Sequence, residues 1–303
     1  GYNSRLMNMG KTSNKGVELS IESHNISLPK FSWSTTFTIA SNKQKVEDLA
    51  GAEYISFYNS PDGYMMQGAR EGYPLNALWG FQYAGVWHST EEMERNDVTH
   101  TYASTLAITG SSGESRFGYP KYYDVNHDGA LDINDMVYLG NADPDVYGGL
   151  QNTFKWGNLK VGVYFSYQLG GKIYNFSELY MSGSNKTNQY AYMVNAYHPV
   201  RNPNSDLPRA GTYATRGLPS SLMVHDASYL RLKTVSVSYT FNMKKTGILR
   251  DITLSAAGDN LWLWKDYNGF DPDVSTESGV ARRIDMGAYP KARTITFSAQ
   301  IRY

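Results

Sequence analysis

Residues 124–135 carry the spacing in this chain that best suits metal chemistry: Asp124-Val125-Asn126-His127-Asp128-Gly129-Ala130-Leu131-Asp132-Ile133-Asn134-Asp135. Asp124, Asn126 and Asp128 alternate as the first side-chain ligands of a calcium-binding loop do. Gly129 then stands where the loop turns sharply, Ala130 offers a backbone carbonyl, and Asp132 and Asp135 fill the remaining acidic positions. An all-oxygen set of this kind suits a hard cation that takes about six to eight ligands, so Ca²⁺ in a structural role is the expected cofactor. The closing residue is Asp135 and not glutamate. Its side chain is one methylene shorter, so bidentate closure needs a tighter loop or a water. An acidic solvated turn has the same composition, and the sequence leaves both readings open.

Other chemistry is absent from the linear pattern. The chain has no cysteine, which excludes thiol catalysis and a disulfide framework. There is no HExxH, GxSxG, P-loop or GxGxxG spacing. No acid pair sits in a recognisable motif, so a secreted hydrolase is disfavoured and the chain reads as a non-enzyme. His88, His100, His198 and His225 lie in irregular stretches and read as solvated side chains. Tyr180, Tyr190, Tyr192 and Tyr197 fit either a sugar-stacking surface or small local cores.

Composition narrows the class. Formal net charge is zero and no basic stripe suggests nucleic acid. Charged residues make up 18% of the chain, below the ~25% of an ordinary soluble domain. The 25 tyrosines and a mean hydropathy of −0.48 fit a barrel whose strands alternate in polarity and whose aromatics gather at two interfaces. No apolar run approaches the ~18 residues of a membrane helix. The chain opens on Gly1 without a secretory signal, and the expectation is a piece whose N-terminal part is missing.

The elements that would hold the loop follow from period-2 alternation. Residues 293–303 set Ile295, Phe297, Ala299, Ile301 and Tyr303 against Thr294, Thr296, Ser298, Gln300 and Arg302. That matches the ~9–11 residues of a tilted membrane strand. The same pattern marks strands at 17–28, 31–40, 148–156, 159–169, 228–241 and 250–264. The phase slips at His24–Asn25, which predicts a bulge, and Gly157-Asn158 predicts a tight hairpin turn. Between them lie long irregular segments at 41–147, 170–227 and 265–292. The first contains one short strand-like piece from Trp79 to Trp87 and a helical turn at 91–97 capped by Ser89–Thr90. Connections alternate short and long, as in membrane barrels with short periplasmic turns and long outer loops. Counting back from the end places segment 41–147 on the outer side, leaving seven spanning strands. An odd count with open edges again points to an incomplete barrel.

The ordered motifs resemble the C-terminal part of a SusC/RagA-like TonB-dependent outer-membrane transporter. They run from Asn14-Lys15-Gly16-Val17-Glu18 through Pro74-Leu75 and Trp79-Gly80-Phe81-Gln82-Tyr83-Ala84-Gly85-Val86-Trp87 to the 124–135 loop and Leu139-Gly140-Asn141-Ala142-Asp143-Pro144. Ala227-Ser228-Tyr229-Leu230-Arg231-Leu232-Lys233, Asp259-Asn260-Leu261, Asp271-Pro272 and Tyr289-Pro290 continue the series. Asp143 departs from the commoner Asn, Tyr303 from Phe, and Ala299 from Gly. The resemblance implies an all-β fold: an antiparallel transmembrane β-barrel of about 22 strands with a plugged lumen, of which residues 1–303 form a C-terminal portion with long extracellular loops. It implies import of a glycan or peptide across the outer membrane of a Bacteroidetes-type cell. A SusD-like lipoprotein would act as lid, and the TonB complex would engage segments outside this chain. Outer-membrane lipid is the expected environment.

The competing reading is a calcium-clipped, β-rich, glycan-binding surface module. The two differ over Val161, Val163, Phe165, Val235, Val237, Ile295 and Phe297. A barrel turns them to lipid, whereas a soluble module buries them.

Overall fold

The computed structural model describes residues 10–103, 117–182, 188–210, 218–243, 249–274 and 281–303. Strand β1 (Lys11–Ser27) turns over Pro29 and Lys30 into β2 (Phe31–Asp48). A first excursion follows. It holds β3 (Ile55–Asn59), β4 (Met65–Ala69), β5 (Ala77–Phe81), β6 (Tyr83–Val86), helix α1 (Thr90–Thr99), β7 (Tyr102–Ala103), β8 (Pro120–Tyr123) and β9 (Met136–Asn141). Next come β10 (Val146–Trp156) and β11 (Leu159–Leu169), then a second excursion with β12 (Lys172–Asn175), α2 (Ser177–Met181) and β13 (Val224–Asp226). Strands β14 (Tyr229–Asn242) and β15 (Asp251–Lys265) lead to a third excursion, which contains β16 (Ile284–Asp285), and β17 (Thr294–Arg302) comes last.

Seven of these strands form one sheet in the order β1-β2-β10-β11-β14-β15-β17. Every neighbouring pair is antiparallel. All three excursions therefore leave and return at one rim, and the short turns lie at the other. One row across the whole sheet reads Ile26, Trp33, Phe154, Val161, Val237, Ala256, Phe297. A row on the opposite face reads Glu22, Thr36, Gln151, Tyr164, Thr234, Asp259, Thr294. The apolar face is uncovered. On interior strands Leu254 is 49% exposed and Trp262 56% exposed, and at the edge Phe297 reaches 79%. Val161, Val163, Phe165 and Val235 are half-buried. Aromatics gather towards both margins of this face, with Phe31, Trp156, Tyr239 and Phe241 near the turns and Tyr167, Trp262 and Trp264 near the excursions.

The one polar break in the apolar face satisfies itself. Asn152 Oδ1 accepts from Trp33 Nε1 at 2.9 Å and from Thr35 Oγ1 at 2.7 Å, and Asn25 donates to Thr35 at 2.7 Å. The bulge read from the sequence falls between His24 and Ile26. A second register shift lies between Leu232 and Thr234, opposite Asn260. Asn260 sits at φ +53, a conformation asparagine tolerates better than most residues.

Two boundaries differ from the sequence reading. Strands β1 and β2 run on to Lys11 and Asp48. Apart from Val46 those ends are polar on both faces, so alternation could not mark them, yet the ladder continues. The Trp79–Trp87 piece is two strands: β5 joins β4 and β9, while β6 joins β8. Helix α1 has the expected cap, with Ser89 accepting from Glu92 N–H.

Buried hydrophobic side chains lie in the excursions. Met66 and Leu78 of the first, Tyr174, Phe176 and Leu179 of the second, and Ile284 of the third form one cluster. Strand β12 pairs β16 in parallel, tying the second and third excursions together.

Gly157 sits at φ +55 in the turn between β10 and β11, where a β-branched residue is strained. Gly157→Val should lower stability by about 1–2 kcal/mol, measured by denaturant unfolding of the folded chain in detergent, and Gly157→Asn should cost less than half as much.

Candidate functional site

Strand β8 delivers the chain into residues 124–135, and a short helical turn, Ile133–Asp135, hands it on to β9. Acceptors exceed donors here, so the backbone wraps around the carboxylates. Asp124 Oδ2 accepts from Gly129 N–H at 2.7 Å. Asp128 Oδ1 accepts from Ala130 N–H at 2.8 Å, and Asn126 Oδ1 from Asp128 N–H at 3.1 Å. Asp135 is fully buried and takes Val125 N–H at 2.8 Å and Asp132 N–H at 2.9 Å, one on each oxygen. Asp132 caps the helical turn by accepting Asn134 N–H at 2.7 Å. Gly129 stands at φ +79, and a Cβ there would meet His100 Nδ1 at 2.8 Å.

The loop thus has the tight hydrogen-bonded course that the spacing suggested. Among the described residues, no three or more His, Asp and Glu side chains converge closely enough to hold a metal. Asp132 is directed to its capping role. One atom fits a cation directly: Asp124 Oδ1 is buried, with no hydrogen-bond partner among the described residues. A buried carboxylate oxygen without a donor is costly. The same loop also carries the oxygen-bearing Asn126, Asp128, Ala130 carbonyl and Asp135.

A second polar centre, unmarked by any linear motif, joins two excursions. Glu178 of α2 is 3% exposed. Its Oε1 accepts from Tyr192 OH at 3.1 Å and from Asn268 Nδ2, and its Oε2 lies 2.7 Å from His225 Nε2. Tyr267 OH donates to Asp285 Oδ2 at 2.7 Å, and Asn175 donates to Asn268 at 2.9 Å. Burial and the adjacent carboxylates push the Tyr192 and Tyr267 phenols up, which keeps them neutral donors.

These contacts correct the expectation of solvated histidines. His225 is bound to Glu178, His88 Nε2 lies 3.1 Å from the Ser205 carbonyl, and His198 Nδ1 accepts from Val200 and Arg201 N–H. Of the loop tyrosines, Tyr190 and Tyr192 stack at 5.5 Å and Tyr197 is buried. They form local cores, and Tyr180 remains exposed. Sequence reasoning missed Glu178 because its partners lie 14, 47 and 90 residues away.

Glu178→Gln should cost about 1–3 kcal/mol of local stability. Faster amide hydrogen exchange in residues 172–181 and 265–270, with the seven-stranded sheet unchanged, is the expected readout.

No protein-family model matches the chain. It is 31% identical over 315 residues to TonB-dependent receptor P26 of Formosa agariphila, covering 100% of this chain and 30% of that protein. TonB-dependent receptor P3 of the same organism is 32% identical over 316 residues, again with 30% of its length covered. TonB-dependent receptor SusC of Bacteroides thetaiotaomicron is 23% identical, with 98% of this chain and 27% of SusC aligned. The RagAB peptide transporter structure shares the fold at a TM-score of 0.73 and 19% identity, covering 99% of this chain and 30% of the matched one. The chain spans about three tenths of the length of these relatives. Over its whole length this chain is similar to part of TonB-dependent receptors, and it shares its fold with part of the RagAB transporter structure.

Proposed function

We propose that this chain builds part of the wall and outer loops of an outer-membrane, TonB-dependent importer of glycans or peptides. The observation that carries this reading is the uncovered apolar face running across all seven antiparallel strands, backed by a polar face on the other side. In water such a face would need a covering layer. Hydrocarbon is its natural solvent, and the inward hydroxyls and amides suit a wet lumen. The same exposure disfavours the soluble glycan-binding module. On this reading the three excursions face the cell exterior, where a SusD-like lipoprotein would close over them. Coupling to the TonB complex belongs to segments outside this chain.

In the same reading, residues 124–135 serve as a structural Ca²⁺ clip. Asp124, Asn126, Asp128, the Ala130 carbonyl, Asp132 and Asp135 are the candidate ligands. A bound cation would neutralise their charge and cross-link the loop, and the buried Asp124 oxygen supports that assignment. The chain itself supplies the pre-folded backbone that holds Asp124 and Asp135 in place.

Two outcomes are expected. In the complete transporter folded into lipid vesicles, Val237→Arg on the apolar face should cost about 2–4 kcal/mol near mid-membrane, whereas the neighbouring inward Ser236→Arg should change stability little. Equal effects would defeat the wall assignment. Separately, Asp128→Ala should increase protease nicking of segment 41–147 and remove its response to added calcium or chelator, leaving the wall intact. Nicking that still responds to calcium would remove Asp128 from the ligand set.

A further inference from the structure

The polar face of the sheet carries a groove of about 870 Å³. Its floor includes Thr38, Tyr164, Gln168 and Tyr229 from the wall, and Asp143 and Arg282 overhang it from the first and third excursions. A smaller cavity of about 300 Å³ shares Asp143, Gln168 and Arg282 with it and is backed by Arg283.

Arg282 is presented into this space by a rigid mount. Gln67, fully buried in β4, donates Nε2–H to the Arg282 carbonyl at 3.0 Å and accepts Arg282 N–H on Oε1 at 2.7 Å. An amide committed at both ends to one residue fixes that residue's backbone. The next residue, Arg283, sits at φ +56. A non-glycine residue in that region is strained and persists where its surroundings over-determine it, commonly at ligand sites. The consequence is a division of roles. Arg283 is 8% exposed, whereas the Arg282 side chain is 65% exposed.

The local charges leave Arg282 available. Arg231 pairs with Asp271 at 2.7 Å, Lys172 with Asp226 at 3.5 Å, and Lys291 with Asp273. Asp143 already accepts Asn76 Nδ2–H at 2.9 Å, and its other oxygen is 3.7 Å from Arg282, too far for a hydrogen bond. Behind it, Arg283 Nη1 is buried with no hydrogen-bond partner among the described residues. Two guanidiniums thus stand near the loosely held Asp143, while Asp273, which lines the smaller cavity with them, is paired with Lys291, and Glu18 lines the far side of the groove. A guanidinium fork matches a carboxylate through two parallel N–H···O bonds.

Resting on the importer reading above, we propose that Arg282 is the specificity-determining contact for a carboxylate carried by the imported molecule, bound in the groove on the lumenal face. Asp143 holds the fork loosely until that carboxylate replaces it.

The test uses the complete transporter in detergent and two matched probe pairs: glucuronate against glucose, and N-acetylglutamate against N-acetylglutamine. Calorimetric titration should show at least one acid binding about tenfold more tightly than its neutral partner, the worth of a charge-assisted hydrogen bond. The acid that wins tells a sugar-borne carboxylate from a peptide-borne one. Arg282→Gln should abolish the preference, and Arg282→Lys, which keeps the charge but loses the fork, should retain part of it. Asp143→Asn should strengthen acid binding about threefold by removing the competitor. Absence of acid preference in the wild type, or a preference that survives Arg282→Gln, overturns the proposal. Heat-modifiable gel mobility and insertion into vesicles report on the importer reading separately, since a variant that inserts but shows no acid preference sinks only the Arg282 assignment.

Discussion

The inter-strand hydrogen-bond ladder is the constraint on which this structure depends. The strands pair with their neighbours over most of their length, and pairing forces successive side chains to opposite faces. Once the ladder is set, one substitution per two residues decides what each face meets. Ile26 to Phe297 across one row and Glu22 to Thr294 across another are the direct result. On the proposed membrane reading, the apolar face admits polar groups only when they find partners locally, because hydrocarbon supplies none. Asn152 meets that condition through Trp33 and Thr35.

A wall with both faces largely uncovered contributes little core, Val46 at the outer end of β2 being its buried hydrophobic residue, so the excursions must supply most of their own. They do so jointly. Met66, Leu78, Tyr174, Phe176, Leu179 and Ile284 come from all three and close over one another. The parallel β12–β16 pair and the Glu178 centre add directional contacts between the second and third. This explains how segments without sustained alternation can still be ordered. Clusters shared between excursions and a cluster built mainly within the first both contribute to that order.

The wall was legible in the sequence because its rule is local. Alternation alone located all seven strands, and the phase slip at His24–Asn25 located a bulge. The reading failed where locality failed. The outer end of β1 is polar on both faces and that of β2 nearly so, so nothing in Lys11 to Gly16 distinguishes ladder from loop. Trp79 to Trp87 looks continuous, but pairing partners from different parts of the excursion divide it. The backbone turns of the 124–135 loop rest on contacts within the loop itself, such as Gly129 N–H to Asp124 and Asp132 N–H to Asp135. By contrast, Glu178 draws on residues up to 90 positions away, and Arg282 is fixed by a glutamine 215 residues distant. No window of sequence contains either arrangement.

The two margins of the sheet carry the last consequence of the ladder. Strands β1 and β17 each pair on one side only, so each presents a row of amide and carbonyl groups along its free edge. In water such an edge is an aggregation hazard; in hydrocarbon it cannot stand at all, because every unsatisfied group costs several kcal/mol. Placed in a membrane, the sheet therefore requires neighbouring strands at both margins, which curvature brings round into a closed barrel. This chain aligns with about three tenths of SusC and of the chain matched in the RagAB structure, and the single-rim placement of its excursions follows from the antiparallel pairing of its seven strands.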